Sequence, residues 1–328
     1  METALVTRIA DLRDRLDAAR ERGETIGAGG VPQTIGFVPS MGAFHEGHRS
    51  LMRAARSAHD FVVVSLFVNP LQFGPAEDLD RYPRDLDGDL AVAAAEGVDL
   101  VFAPTAAEMY PGGPPVTTVH VDRLAEGLCG AGRPGHFDGV ATVVTKLFAL
   151  VGPSTAYFGR KDAQQLAVVR RMAADLNLPV EVVGCPLVRE ADGLALSSRN
   201  RNLEPAQRAA ATVLFRALSS GADLVLGGER DAGRLRRVVA NVATTEDLVR
   251  LEYAEVVDAA SLQPLETLRG DVLVAVAARV GAVRLIDNVT IRIDVAGASV
   301  DLGVTVAPSS PGARGVPEGI GEATCAAG

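Results

Sequence analysis

Two imidazoles, His45 and His48, stand where an apolar run at 35–38 gives way to a pattern of helical period starting at Glu46, the residues between being Pro39, Ser40, Met41, Gly42, Ala43 and Phe44. A helix opening there presents unpaired backbone N–H groups and the positive end of its dipole, which suits phosphate, and Gly42 and Gly47 let the backbone approach closely. Two histidines at such a mouth can neutralise charge developing on an α-phosphate during adenylyl transfer. The plainer alternative is two exposed histidines beside a turn. It is weakened by the rarity of histidine, five in the chain, and by the strand–turn–helix setting.

Other segments carry polar groups to the ends of apolar runs. Asn69 and Gln72 in FVNPLQFG follow a strand-like stretch. Neutral amides can bond a hydroxy acid without closing off its carboxylate as a nucleophile, although an Asn-Pro pair also simply makes a turn. In FGRKDAQQ, Gly159, Arg160, Lys161 and Asp162 put a flexible ammonium at a helix start, suited to triphosphate oxygens, though a solvated lysine is the commoner fate of a Lys-Asp pair. Ser197, Ser198 and Arg199, after Leu196, offer hydroxyls and a guanidinium fork for phosphate, or only a polar turn. Asp85, Asp87 and Asp89 fall where a helix begins, and the helix dipole alone is reason enough for the first two. Arg133 and His136 in GRPGHFDGV lie in a basic loop before a helix, where Arg133 could neutralise a carboxylate.

The elements that must position these groups follow from periodicity. Short Val-, Ile- and Phe-rich runs at 34–38, 61–68, 100–103, 155–158 and 181–184 alternate with helical patterns at 46–58, 86–96, 140–150 and 161–176, which implies βαβ units and a parallel sheet. Ligands of such sheets sit beyond the carboxyl ends of the strands. The first twenty residues read as an amphipathic helix. After about 186 the order changes to two helices, 205–218 and 231–242, followed by strands at 251–257, 272–277 and 283–286, the pattern of a small α+β domain. The expected division is 1–187, 188–290 and a Gly-, Ala-, Pro- and Ser-rich flexible tail at 291–328, with an edge strand within 290–306 as the alternative to disorder there.

Composition narrows the function classes. The chain has 328 residues and a net charge of −9, a field that disfavours nonspecific nucleic-acid binding. Three cysteines without a CxxC or a Cys/His cluster argue against a disulfide framework or structural zinc and point to a reducing, cytoplasmic compartment. No secretory signal is expected at the N-terminus, and no membrane span, since charges interrupt every run of the roughly 18–20 apolar residues required.

The tetrad His45-Glu46-Gly47-His48 after a strand resembles the HxGH signature of the nucleotidyltransferase superfamily. MGAFHEGH, followed in order by FVNPLQFG, YPRDL, GRPGHFDGV, FGRKDAQQ, LALSSRNRNL and LIDN, resembles the pantothenate synthetase family over about residues 5–289. The resemblance implies a Rossmann-like α/β nucleotide-binding domain with a smaller α+β domain. It also implies an ATP- and Mg2+-dependent ligase that joins pantoate to β-alanine through a pantoyl-adenylate, working as a homodimer. On the matched positions, residues 39–48 and 159–162, with Val188 near adenine and 196–199 as a relative of the KMSKS loop, would hold the nucleotide. His45, His48, Lys161, Ser198 and Arg199 would act on its phosphates, Gln72 and Gln165 would grip pantoate, Gln72 also meeting β-alanine, with Asn69, Arg133 and His136 nearby, and Asp89 would meet magnesium.

Three positions depart from the family pattern: Cys129 and Arg160 each stand where the family carries glutamate, and Leu196 replaces methionine. The first two motivate rival readings, a ligase using another amine or a weakened ligand-binding paralogue. A cytidylyltransferase-like enzyme is a further rival, which the amide-rich FVNPLQFG and KDAQQ segments oppose.

Overall fold

The computed structural model describes residues 3–25, 34–74, 79 and 82–306. They divide into two units, one formed by residues up to 159 with 168–185, the other by 160–167 with 186–306. The second unit resumes at Pro186, two residues before the expected boundary after 187, and the segment that opens with Arg160 and Lys161 belongs with it.

The first unit alternates strand and helix: β1 (Ala4–Val6), α1 (Ile9–Thr25), β2 (Ile35–Ser40), α2 (Glu46–Ala58), β3 (Phe61–Leu66), α3 (Leu86–Ala95), β4 (Leu100–Phe102), α4 (Ala106–Met109), α5 (His136–Val151), β5 (Ser154–Gly159), α6 (Ala163–Asp175, its first turn in the second unit) and β6 (Val180–Cys185). All neighbouring strands are parallel, in the order β1-β4-β3-β2-β5-β6. A parallel sheet covered on both faces needs strands apolar on both faces, and Val62, Val63 and Val64 of β3 are all fully buried, each contributing about 1.5–3 kcal/mol. The strand order reverses direction between β2 and β5, where β2 pairs with both β3 and β5, so the turn leaving β2 is the crevice position for ligands.

β1 lies inside the stretch read as helix. Three residues are too few for a periodicity signal, and their extended form is decided by pairing with β4, Ala4 opposite Leu100. Likewise α5 begins at His136 rather than near 140, so His136 sits in the helix's first turn and not in the loop before it.

The second unit contains β7 (Val188–Arg189), α7 (Pro205–Ala210), α8 (Val213–Leu226), α9 (Ala232–Ala243), β8 (Val249–Asp258), β9 (Gly270–Val280), β10 (Val283–Asp294), β11 (Gly297–Asp301) and β12 (Val304–Thr305). An antiparallel sheet β11-β10-β9-β8 packs its apolar side chains, among them Val272, Val274, Val276 and Val289, with Leu214, Leu218, Leu235 and Val239 of α8 and α9. Pro205–Leu226 is long and apolar enough to cross a membrane, contrary to the sequence expectation. Half of its apolar window is nevertheless buried, and α8 contributes Val213, Leu214, Ala217, Leu218 and Val225 to this core.

The expectation of a flexible tail from 291 is overturned as far as 306, and the edge-strand alternative holds. β10 continues to Asp294, β11 folds back on it with Ile291 opposite Val300, and β12 pairs in parallel with β7, Val304 opposite Val188. Small residues give little hydropathy signal, but a strand is held by its backbone ladder, and Ile291 supplies a fully buried anchor. Residues 307–328 of the expected tail lie outside the described residues.

Candidate active site

The turn leaving β2 is built around two left-handed residues, Gly42 (φ 91°) and Ala43 (φ 56°). Glycine takes that conformation freely, whereas at Ala43 it carries backbone strain on the order of 1–2 kcal/mol. Asp89 from α3 offsets it. Its Oδ2 accepts the Ala43 N–H and its Oδ1 the Phe44 N–H, both at 2.8 Å, with the carboxylate only 6 % exposed. A Cβ on Gly42 would lie 2.6 Å from Asp89 Oδ2, so the close approach also demands glycine.

Beyond this turn α2 begins at the histidine pair. His45 is the N-cap, its Nδ1 accepting the Gly47 N–H at 3.1 Å, and His48 Nδ1 accepts the His45 N–H at 3.4 Å, a capping box made of two imidazoles. The ring centroids are 4.2 Å apart, and Phe44 packs 5.3 Å from His48. A neutral imidazole that accepts at Nδ1 carries its hydrogen on Nε2, so both rings have a donor at their far edge, at the positive end of a helix. Glu46 is occupied by Arg49 and Arg53 on the same helix. Ser40 Oγ accepts the Gly42 N–H at 3.1 Å and Pro39 lies in β2, so both support the turn.

Asn69 and Gln72 bracket a short 3-10 turn, Pro70–Gln72, and are buried at 1 % and 8 % exposure. Asn69 Nδ2 donates to Gln72 Oε1 (3.2 Å) and to the Gly139 carbonyl (3.1 Å), while Asn69 Oδ1 accepts the Leu71 N–H and the Tyr110 hydroxyl (2.9 Å). Gln72 Nε2 reaches Met41 Sδ at 2.9 Å, which joins this amide pair to the β2 turn. His136 Nδ1 lies 2.7 Å from the Gln72 carbonyl oxygen and its Nε2 lies 2.9 Å from an Arg133 nitrogen. The first unit thus brings Met41, Asn69, Gln72, Arg133 and His136 into one hydrogen-bonded group. Tyr110 and Gly139 belong to it and escape sequence reading: a lone tyrosine in a loop and a helical glycine carry no local signal. A Cβ on Gly139 would sit 2.3 Å from the Leu71 oxygen, so only glycine lets the 3-10 turn rest on α5.

In the second unit, Arg160, Lys161 and Asp162 form a 3-10 turn before α6, following Gly159, the last residue of β5. Their carbonyls are tied down from the LIDN segment of β10: Asn288 Nδ2 donates to the Arg160 and Lys161 oxygens at 3.0 and 2.9 Å. The neighbouring Asp287 is fully buried in a bidentate pair with Arg189 (2.7 and 2.9 Å). Arg160 itself pairs with Asp301 at 2.9 Å, so the charge that departs from the family pattern has a partner in β11. Lys161 Nζ stands 3.8 Å from Asp162, and Gln165 is half-buried on α6. Val188 is only 6 % exposed, and its carbonyl accepts the Leu196 N–H. Ser197 caps the 3-10 turn Ser198–Asn202, in which Ser198 is half-buried and Arg199 exposed.

The described residues form no all-protein cage for a metal ion. Both Asp89 oxygens are engaged by backbone N–H groups, and no group of three or more His, Cys, Asp or Glu side chains converges among the described residues. Cys129 is buried and outside any disulfide.

Residues 4–290 match the model of the family described as pantoate-beta-alanine ligase. Curated pantothenate synthetases are similar to the chain: that of Heliobacterium modesticaldum is 60 % identical over 261 residues, covering 80 % of this chain and 92 % of the relative, and that of Moorella thermoacetica is 53 % identical over 290 residues, covering 88 % and 99 %. Among solved structures, a pantothenate synthetase from Thermus thermophilus superposes with a TM-score of 0.80 at 47 % identity, covering 87 % of this chain and 98 % of that one. A pantoate-beta-alanine ligase from Francisella tularensis, complexed with beta-gamma ATP and beta-alanine, gives 0.68 at 30 % identity, covering 87 % and 97 %. A match across nearly the whole of these relatives, on a fold whose β2 turn, histidine cap and buried amides occupy the matched segments, leaves one conclusion: the chain belongs to the pantoate–β-alanine ligase family.

Proposed function

We infer that this protein condenses pantoate with β-alanine to give pantothenate, using ATP and passing through a pantoyl-adenylate. The pantoate carboxylate attacks the α-phosphorus and releases pyrophosphate, and the β-alanine amine then attacks the acyl carbon and releases AMP. The observation that carries this reading is the bond from Gln72 to Met41. It puts an amide pair suited to a hydroxy acid next to the turn that leads into a histidine-capped helix suited to an α-phosphate.

In this reading the Nε2–H groups of His45 and His48 and the α2 N-terminus take up charge developing on the α-phosphate. Lys161, Ser198 and Arg199 serve the β- and γ-phosphate oxygens, and Gly159, Arg160, Asp162, Val188, Leu196 and Ser197 complete the nucleotide segments. Asn69, Gln72 and Gln165, with Arg133 and His136, hold pantoate. Magnesium enters with the nucleotide and neutralises its phosphates, and no protein group is required as its resident ligand. The chain contributes no covalent nucleophile, so positioning and charge stabilisation do the catalysis. A cytoplasmic homodimer acting on small molecules, without nucleic acid or membrane, completes the proposal. The net charge of −9 supports it for nucleic acid, and sedimentation of the purified protein checks the dimer.

The test incubates the protein with Mg-ATP and pantoate, with and without β-alanine, and quantifies pyrophosphate, AMP and pantothenate. Pantothenate formed only with β-alanine, and reduced about 10²–10³-fold in His48→Ala, is the expected result. Absence of pyrophosphate from the wild-type protein would sink the proposal, and AMP without amide would move it to a different amine.

A further inference from the structure

The pairings around Gln72 fix which end of its amide meets the substrate. Asn69 cannot turn over without loss, because its Nδ2 faces the Gly139 carbonyl, which only accepts, and its Oδ1 faces the Leu71 N–H, which only donates. Asn69 Nδ2 then donates to Gln72 Oε1, so Gln72 Oε1 is used inside the protein and Nε2 is the end left to donate outward. Its partner there, Met41 Sδ, is a thioether and a weak acceptor. An incoming carboxylate or hydroxyl oxygen would be a far better one.

Tyr110 closes this chain from the other side. Its hydroxyl donates to Asn69 Oδ1 at 2.9 Å, its ring packs 6.0 Å from Phe67, and Lys146 Nζ stands 5.3 Å over its face. The hydroxyl, Asn69 and Gln72 form one line of donors pointing the same way, all at 8 % exposure or less. We propose that Tyr110 is a positioning residue for the acid substrate: the relay Tyr110 to Asn69 to Gln72 holds Gln72 as a hydrogen-bond donor toward pantoate. Burial pushes the Tyr110 hydroxyl up to about 12, so it stays protonated and donating at neutral pH. The inference rests on the assignment of Gln72 to the pantoate side.

The experiment is a double-mutant cycle of Tyr110→Phe and Gln72→Ala, with KM for pantoate, β-alanine and ATP measured separately. Phenylalanine keeps the ring contacts and removes only the donor. Loss of one neutral hydrogen bond corresponds to roughly a 2- to 13-fold effect, so Tyr110→Phe is expected to raise the pantoate KM by about that factor while the ATP KM stays within twofold. In the Gln72→Ala background the same substitution should have no further effect on pantoate, the signature of coupled residues. If Gln72→Ala leaves the pantoate KM unchanged, the assignment of Gln72 fails and the relay with it. If Gln72→Ala raises it but Tyr110→Phe does not, or raises all three values alike, only the relay is overturned. Should Tyr110→Phe fail to fold, Asn69→Ser, which breaks the same relay at its middle, is held to the same outcomes.

Discussion

Asp89 shows how one side chain can fit two roles until its partners are known. Its position in the family pattern implies magnesium, while its geometry makes it the staple of a strained turn, with Ala43 and Phe44 N–H groups on its two oxygens. The roles separate experimentally. Asp89→Asn presents an amide N–H where one backbone donor needs an acceptor, and hydrogen bonds to a charged group are worth about 1.5–3 kcal/mol. Stability to urea should fall by about that amount and KM for Mg-ATP should rise, with no change in the Mg2+ concentration giving half-maximal rate. A higher Mg2+ requirement would return Asp89 to the metal. The histidine pair was more legible, because a capping role and an outward Nε2–H donor both follow from imidazoles placed at the first residues of a helix.

At the scale of elements, the contact between the Pro70–Gln72 turn and α5 decides the shape of the acid-binding group. Gly139 sits in the first turn of α5, where alanine would be preferred by up to about 1 kcal/mol on propensity alone. The clash with the Leu71 oxygen reverses that preference. Gly139→Ala is expected to keep the helical circular dichroism signal, displace Asn69 and Gln72, and raise the pantoate KM more than tenfold while the ATP KM stays within twofold. An unchanged pantoate KM would show that the turn tolerates displacement. In the second unit, β10 performs the matching task for Arg160 and Lys161. Asn288 holds their carbonyls, and the adjacent buried Asp287–Arg189 pair fixes the strand. The partner of Arg160, Asp301, lies beyond residue 290, where the family match ends.

For the whole molecule, stability against pH carries a signature of His59 at the end of α2. Its Nε2 is 2.9 Å from the Tyr157 hydroxyl and its buried Nδ1 has no hydrogen-bond partner among the described residues. Burial lowers its affinity for a proton below the ordinary value of 6.5, against the opposing pull of Asp60 and Glu181 and with help from Arg56. The unfolded chain therefore binds a proton that the folded chain resists, so stability is lost as pH falls through 6.5 and levels off below the folded value. His120, raised by its hydrogen bond to Asp138, contributes with the opposite sign but is largely solvated. Melting temperatures between pH 7.5 and 5.5 should fall less steeply for His59→Gln than for the wild type. Equal slopes would remove His59 as the cause.

The sequence by itself determined the alternation of strands and helices, the parallel sheet and the order of the motif segments, because burial on two faces forces apolar runs and helix starts carry their own residue chemistry. Asn69, Gln72, His45 and His48 were legible because each lies within a few residues of a strand end. Tertiary structure alone decided the rest. β1 and the strands between 291 and 306 exist through backbone ladders with segments distant in the chain, which side-chain periodicity does not encode. Tyr110, Gly139 and Asn288 owe their roles to partners 41, 70 and 128 residues away, where Tyr110 and Gly139 meet Asn69 and Asn288 meets Arg160. The direction in which Gln72 donates follows from a network that closes only when those segments pack together.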